Sequence, residues 1–341
     1  MTASGKSETK IPRVAVIGLG HWGANLVRNV AALGALAAMH DTVPATRARF
    51  AAAHPTARLH DDAASVLADP TIEAVMIATP AATHGALVKR ALEAGKHVFV
   101  EKPLCLDVAE AEALAKDAAR RGRILMVGHL LHYHPAFLAL SAAVRGGKLG
   151  KLRYIYSHRL SLGRIRREEN ALWSFAPHDI SMILALMGTM PVRVSADGAY
   201  FLADGVADTT LTHFTFPGGE QAHVFVSWLH PFKDQRLVVV GEKAMAVFND
   251  VATGAEKLLV YRHEAGWTGD IPFVTKAEAE PLPFALGAEP LKRECETFLA
   301  ALRGGPAPPS DAAEGIRVLT VLDACQRALE SRAPVDLPPK G

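Results

Sequence analysis

Residues 13–23 read RVAVIGLGHWG, and this stretch decides the fold. The run RVAVI at 13–17 is short and β-branched, fit for a strand buried on both faces. It leads straight into Gly18-Leu19-Gly20-His21-Trp22-Gly23, a G-x-G-x-x-G turn. A helical pattern follows from about 24 to 33 and stops at Gly34. Gly18 permits the tight turn, Gly20 lets a pyrophosphate approach the backbone, and Gly23 lets the helix pack close on the strand. The helix start adds free N–H groups and a positive dipole end, and His21 and Trp22 belong to the same cofactor turn. Alone, the glycine pattern is weak. Here it has a strand before it, a helix after it and an acid at the right distance.

That acid is Asp41, closing the next strand candidate at 36–40. A carboxylate there accepts hydrogen bonds from the ribose hydroxyls of NAD and repels the 2′-phosphate of NADP. Arg47, one helical turn on, is the residue that would favour NADP. A helix at 47–53, another ending at Leu67 and a buried strand at 74–78 come next. Thr79-Pro80 ends that strand at the edge of the sheet that faces the cofactor, and His84 starts the following helix. Residues 98–104, VFVEKPL, form the next strand, whose end sets Glu101 and Lys102 at the carboxyl edge where open α/β sheets bind ligands. Pro103 ends the strand and biases Lys102 towards an extended conformation. Asp107 begins one more helix, and 124–128 is one more strand. This βαβ rhythm predicts a doubly wound parallel sheet of the Rossmann type over 11–130, with 1–10 a disordered tail.

Composition sets the bounds. With 341 residues the chain has room for two cores, and a net charge of +2 gives no electrostatic case for nucleic acid or an anionic membrane. Cys105, Cys295 and Cys325 are far apart and suggest neither a disulfide framework nor a zinc site. The N-terminal residues MTASGKSETK lack an apolar core, so no secretory signal is expected and the location expected is cytoplasmic.

After Gly146-Gly147 the pattern changes. Strand candidates lie at 151–160, 192–196, 209–216, 222–229, 237–240 and 258–261, and several alternate apolar and polar residues, most clearly 211–216 and 224–228, which suits an antiparallel sheet with one covered and one open face. This predicts an α+β substrate-binding and oligomerisation domain over 131–310. Helices are expected at about 291–302 and 312–330, and the segment 311–341 is expected to pack back on the first domain. An open apolar face predicts a homo-oligomer, a dimer or tetramer. Residues 173–188, WSFAPHDISMILALMG, read as a helix from Asp179 onward, with His178 just ahead of it. His129, His132 and His134 form a cluster without the acids or cysteines of a metal site, so no metal is expected. Tyr133 and His134 are expected to reach the substrate, as are His230 and Lys233 from the sheet. Arg164, Arg166 and Arg167 in the loop 162–170 suit either a solvated surface or a clamp for the diphosphate of a nucleotide sugar.

The order GLGHWG, ATPAATH, AGKHVFVEKPL and VGHLLHYHPAF resembles the Gfo/Idh/MocA family of sugar oxidoreductases, over nearly the whole chain. The resemblance implies that Lys102 lies beside the nicotinamide and the reacting hydroxyl, and that Thr79, Pro80 and His84 line the cofactor groove. The family pattern D-x-x-x-H-x-x-D-x-x-x-x-L-x-G is met by His178, Leu186 and Gly188, whereas Ser174 and Ser181 stand where the acids are usual. Asp179 points elsewhere on a helix and does not replace them. Oxidising a secondary alcohol requires loss of the hydroxyl proton as hydride departs. His178 has the intrinsic pKa to take that proton, and Lys102 the charge to hold the alkoxide. The segment 166–181, RREENALWSFAPHDIS, looks like the family branch of nucleotide-sugar biosynthesis, which includes UDP-sugar 3-oxidases. The expected reaction is NAD-dependent oxidation at C3 of a UDP-N-acetylhexosamine, UDP-GlcNAc or its uronic acid, feeding an aminotransferase in cell-envelope polysaccharide or lipid A synthesis. The alternatives are an inositol or free-sugar dehydrogenase, a ketoreductase of the same family, and a cofactor-binding regulator without turnover.

Overall fold

The structure is a computed structural model that describes residues 11–163 and 165–338. The tail expected at 1–10 and the candidate Arg164 lie outside the described residues. The chain divides into two compact units.

The first unit contains residues 11–128 and 291–316. Its strands are β1 (Val14–Ile17), β2 (Leu36–His40), β3 (Arg58–Leu59), β4 (Ala74–Ile77), β5 (His97–Glu101) and β6 (Leu125–Gly128). They form one parallel sheet in the order β3-β2-β1-β4-β5-β6. Every residue of β1, β4 and β6 is buried, as the β-branched and apolar runs require of strands covered on both faces. The strand order reverses between β1 and β4, so the binding crevice opens at their carboxyl ends. The connecting helices are α1 (His21–Ala32), α2 (Pro44–Ala53), α3 (Ala63–Ala68), α4 (His84–Glu93) and α5 (Val108–Arg120).

Two helices begin three residues earlier than the apolar pattern indicates. Helix α1 starts at His21 because Gly20 is its N-cap, which brings the glycine-rich turn into the first helical turn. Helix α2 starts at Pro44, whose fixed φ suits the first helical position.

Helix α8 (Pro290–Leu302) belongs with the first unit, although the chain pattern groups it with the second. Phe298 of α8 packs edge-on against Phe99 of β5, with ring centroids 5.9 Å apart. Beyond α8, Ser310 accepts a backbone hydrogen bond from Val127 at 2.8 Å, and Asp311 bridges to Met126. The returning chain thus covers the free edge of β6, which would otherwise present unpaired backbone groups.

The second unit holds residues 129–290 and 317–338. Helices α6 (Pro135–Arg145), α7 (Ala171–Met187) and α9 (Ala312–Ser331, from Arg317 on in this unit) cover one face of its sheet. The strands are β7 (Leu152–Leu162), β8 (Arg193–Ala199), β9 (Thr209–Thr215), β10 (Gln221–Ser227), β11 (Leu229–Gly241), β12 (Ala244–Asn249), β13 (Leu258–Thr268), β14 (Ile271–Pro281) and β15 (Val335–Asp336). Their order is β14-β13-β12-β11-β7-β10-β9-β8-β15, antiparallel except between β7 and β10.

Ile155, Phe214, Val224, Val239 and Phe248 face the helices and pack with Leu140, Ile180, Ile183 and Leu322. The alternate residues form the other face, where Tyr156 stacks on His223 with ring centroids 5.4 Å apart. The apolar stripe of α9 is satisfied here: Val318, Val321, Leu322 and Cys325 lie in the core of the second unit. Strands β12 and β14 are absent from the sequence reading: AMAVFN is rich in alanine and ends in asparagine, both poor strand formers, and IPFVTKAEAEP carries charge and proline. Every residue of β14 is exposed, so no burial pattern marks it.

Candidate active site

In the first unit the carboxyl ends of β1, β2 and β4 enclose a cleft of about 780 Å³ lined by Gly18, Gly20, Asp41, Thr79, Pro80 and Arg90, among others. Gly18 has φ +92°, and a Cβ there would lie 2.6 Å from the Ala78 carbonyl oxygen. A Cβ on Gly23 would lie 1.9 Å from the Gly18 carbonyl oxygen, so helix and turn touch backbone to backbone. At Gly20 a Cβ would meet nothing within 4 Å. The space over the first turn of α1 is therefore open, and Gly20 supplies no capping side chain to its N–H groups. These are the features a dinucleotide pyrophosphate needs.

Asp41 follows β2. Its Oδ2 accepts the Leu19 N–H at 2.7 Å and its Oδ1 the Val43 N–H at 2.8 Å. Arg47 does not reach into the cleft as a free cation. Its Nη1 donates to the carbonyls of Asp41, at 2.8 Å, and Thr42, at 3.4 Å, and its Nη2 lies 3.4 Å from Asp61. The adenosine end of the cleft therefore offers a carboxylate for the ribose hydroxyls and a committed arginine, which is the donor set of an NAD site.

Thr79 and Pro80 form the turn after β4, held by Thr79 Oγ1 to Thr83 Oγ1 and Thr83 Oγ1 to the Pro80 carbonyl, both 2.7 Å. His84 is buried rather than lining the groove, because both ring nitrogens are engaged: Nδ1 with the Pro103 carbonyl at 2.7 Å and Nε2 with the Thr79 carbonyl at 2.9 Å. It ties the turn after β4 to the turn after β5. Burial lowers its pKa, its carbonyl partners oppose that shift, and the Lys102 charge adds to it.

Lys102 follows β5, and its peptide bond to Pro103 is cis. Beside it, Glu101 accepts a hydrogen bond from the Trp22 indole Nε1–H, linking the glycine-rich turn to the Lys102 turn. Burial pushes the Glu101 carboxyl up to about 7, against the opposing pull of Trp22 and Lys102. His21 lies exposed on the first turn of α1. Cys105 is no nucleophile: its Sγ donates to the Asp107 carbonyl at 3.1 Å, and burial pushes the thiol up to about 11.

In the second unit His178 lies within α7 and not ahead of its N-terminus, which corrects the sequence reading. Pro177 suggested a helix start, as proline often occupies the first helical position. Here it is tolerated inside because the preceding turn is anchored. Asn170 caps the helix by accepting the Trp173 N–H at 3.1 Å, and Asn170 Nδ2 and Trp173 Nε1 both donate to Gln326 Oε1, at 2.9 and 3.0 Å. Ser174, four residues before His178, and Ser181, three after it, consequently share its side of the helix. Both serines are buried, and His178 is half-buried.

Asp179 points into the core. Its carboxylate accepts Arg159 Nε at 2.6 Å and Nη2 at 3.3 Å, and a hydrogen bond from Ser157 Oγ. That pair pins α7 to β7. It was missed in the sequence because a buried arginine within a strand looks like one of the outward-facing residues.

The remaining candidates separate. His134 caps α6 by accepting the Ala136 N–H at 3.1 Å, packs on Phe248 and faces Asp250 at 3.7 Å, so its role is in the frame and it leaves the substrate set. Tyr133 is buried. Arg166 pairs with Glu169 at 2.7 Å, Arg167 is exposed, and His230 Nδ1 bonds to the Phe232 carbonyl at the irregular start of β11. Lys233 lies in the same irregular segment and is exposed. Among the described residues no group of three His, Cys, Asp or Glu could hold a metal ion, and no helix is long and apolar enough to cross a membrane.

A doubly wound sheet with this turn, carboxylate and strand-end lysine defines a dinucleotide-dependent oxidoreductase. Residues 12–129 match the family model described as an oxidoreductase family with NAD-binding Rossmann fold, and residues 137–247 match the Gfo/Idh/MocA C-terminal domain. The chain is 31% identical over 322 residues, 94% of its length and 97% of the relative's, to UDP-N-acetylglucosamine 3-dehydrogenase of Acidithiobacillus ferrooxidans. The solved structure of that enzyme aligns with TM-score 0.81 and 30% identity, covering 94% of this chain and 97% of the other. Inositol 2-dehydrogenase of Rhizobium meliloti is 28% identical over 89% of this chain and 91% of its own. GenD2 from gentamicin A biosynthesis, solved in complex with NAD, shares the fold with TM-score 0.81 at 22% identity over 99% of both chains. The protein belongs to the Gfo/Idh/MocA family of NAD-dependent oxidoreductases.

Proposed function

We propose that the protein oxidises the C3 hydroxyl of a UDP-N-acetylhexosamine, UDP-GlcNAc or its uronic acid, to the 3-keto sugar in the cytoplasm. The observation that carries this reading is the match, over 94% of the chain, with a UDP-N-acetylglucosamine 3-dehydrogenase. The face of α7 supports it. An inositol ring presents hydroxyl donors all round and favours carboxylate acceptors, whereas Ser174 and Ser181 flank His178 here.

Bound NAD supplies the hydride acceptor. Asp41 holds its adenosine ribose, and the first turn of α1 its pyrophosphate. His178 takes the hydroxyl proton, and the Lys102 ammonium stabilises the negative charge that grows on the oxygen as hydride leaves carbon. A secondary alcohol thus loses one hydride and one proton and becomes a ketone, a substrate for amination. Arg167 is the residue of the arginine loop we assign to the diphosphate, since Arg166 is paired with Glu169. The uncovered face of the second sheet, with Tyr154 and Leu211 exposed beside Tyr156 and His223, is assigned to a second copy of the chain.

The test is regiochemical. UDP-GlcNAc carrying deuterium at C3 should give deuterated NADH, and deuterium at C4 should remain on the sugar. Transfer from any other carbon would contradict the reading.

A further inference from the structure

Glu294 is an acid that the account above does not use. It lies on α8, is 1% exposed, and its Oε1 has no hydrogen-bond partner among the described residues. Charge in such a position is costly unless it is shared or neutralised.

What Glu294 faces follows from the packing of α8 on β5. Phe298, one turn further along α8, meets Phe99 at 5.9 Å between centroids. Helix residues four apart share a face, as do strand residues two apart. Stepping back one turn from Phe298 and forward two residues from Phe99 brings Glu294 over Glu101. The Glu101 charge is felt at Glu294, where it adds to burial in raising that carboxyl well above the ordinary range.

The chain also makes room for the Glu101 carboxyl. Gly128 is the neighbour of Glu101 on β6, and a Cβ there would lie 2.9 Å from Glu101 Oε2. The groups acting on Glu101 are the Trp22 indole, which donates to it, and the Lys102 ammonium. The group acting on Glu294 is Glu101.

Two facing carboxyls, Glu294 buried and Glu101 half-buried, resist ionising together. We propose that Glu101 and Glu294 hold one proton between them at neutral pH, and that Glu294 is thereby a positioning residue for Lys102. The pair leaves a single, fixed negative charge beside the ammonium in place of two. Its consequence for turnover rests on the dehydrogenase reading above; the shared proton does not.

Trp22 reports on the pair directly, because its indole Nε1–H donates to Glu101. The ¹⁵N–¹H resonance of that indole should titrate with a midpoint near the value of about 7 that burial gives Glu101. A second, more alkaline step should follow as Glu294 ionises, and in Glu294→Gln, where the neighbour stays neutral at every pH, that step should be absent.

A second alkaline step that persists in Glu294→Gln would overturn the proposal. Should that variant not fold, the unmodified protein decides: a protonated-carboxyl infrared band must persist at neutral pH, and its absence overturns the proposal. Loss of all sugar turnover with the titration intact would sink the dehydrogenase reading and leave the pair standing. Turnover with the same titration in the unmodified protein and in Glu294→Gln would do the reverse.

Discussion

The Leu19 N–H donates to Asp41 Oδ2 at 2.7 Å, tying the glycine-rich turn to the end of the second strand. Asp41 therefore shapes the turn as well as choosing the cofactor. Asp41→Ala should weaken NAD binding about tenfold or more, a loss of about 1.4 kcal/mol for each factor of ten. It should not by itself create tight NADP binding, because Arg47 remains bonded to the carbonyls of residues 41 and 42. Fluorescence titration with NADH and NADPH measures both. NADPH binding as tight as NADH binding in the unmodified protein would contradict the assignment.

His84 bridges the turns after β4 and β5 through two carbonyls. His84→Ala removes the ring from between both carbonyls; a neutral imidazole carries one N–H, so one oxygen loses its donor, at a cost of about 1–3 kcal/mol before any water enters. Thermal unfolding should show the loss, and kcat should fall with it because the Pro103 carbonyl is next to Lys102. A variant as stable and as active as the parent would show that the bridge is dispensable.

The buried Arg159–Asp179 pair predicts a stability effect of different character. Asp179→Ala leaves the guanidinium buried and unpaired and should cost about 3–5 kcal/mol in denaturant unfolding. Ser174→Asp, by contrast, adds a carboxylate one turn before His178, favours the imidazolium and should raise the pH of the basic-form limb of kcat/KM. Opposite results, a mild Asp179→Ala and an unmoved limb in Ser174→Asp, would mean that the face of α7 has been misassigned.

Much of this was legible in the residues because local physics and fold agree there. At 13–23, strand, turn and helix each carry their own signature, and the β5 end at Glu101-Lys102-Pro103 is marked by the proline. The unread parts are those where a distant partner decides. Gln326 holds the first turn of α7 and so puts His178 mid-helix, against the local signal of Pro177. Helix α8 crosses back to the first sheet through Phe298, and its apolar pattern gives no address. Glu294 reads as an ordinary exposed helical acid until Phe99 shows which way that face points.

Glu101 gives a pH dependence with a definite sign. Its carboxyl is raised from 4.5 in the unfolded chain to about 7 in the fold, so between those values the folded state binds more protons. Its contribution to stability is thus fully present below about 4.5 and is lost as pH rises through about 7. Glu101→Gln should flatten that descent in denaturant-unfolding free energies measured against pH. An unchanged slope would contradict the raised carboxyl.

The central claim is most directly tested by following NADH formation with UDP-GlcNAc, its uronic acid and myo-inositol in parallel, with a carbonyl trap to draw off ketone. The account predicts turnover with a UDP-sugar, lost in both Lys102→Ala and His178→Ala while NAD binding persists in the latter. Turnover confined to myo-inositol, or full activity in either variant, would contradict it.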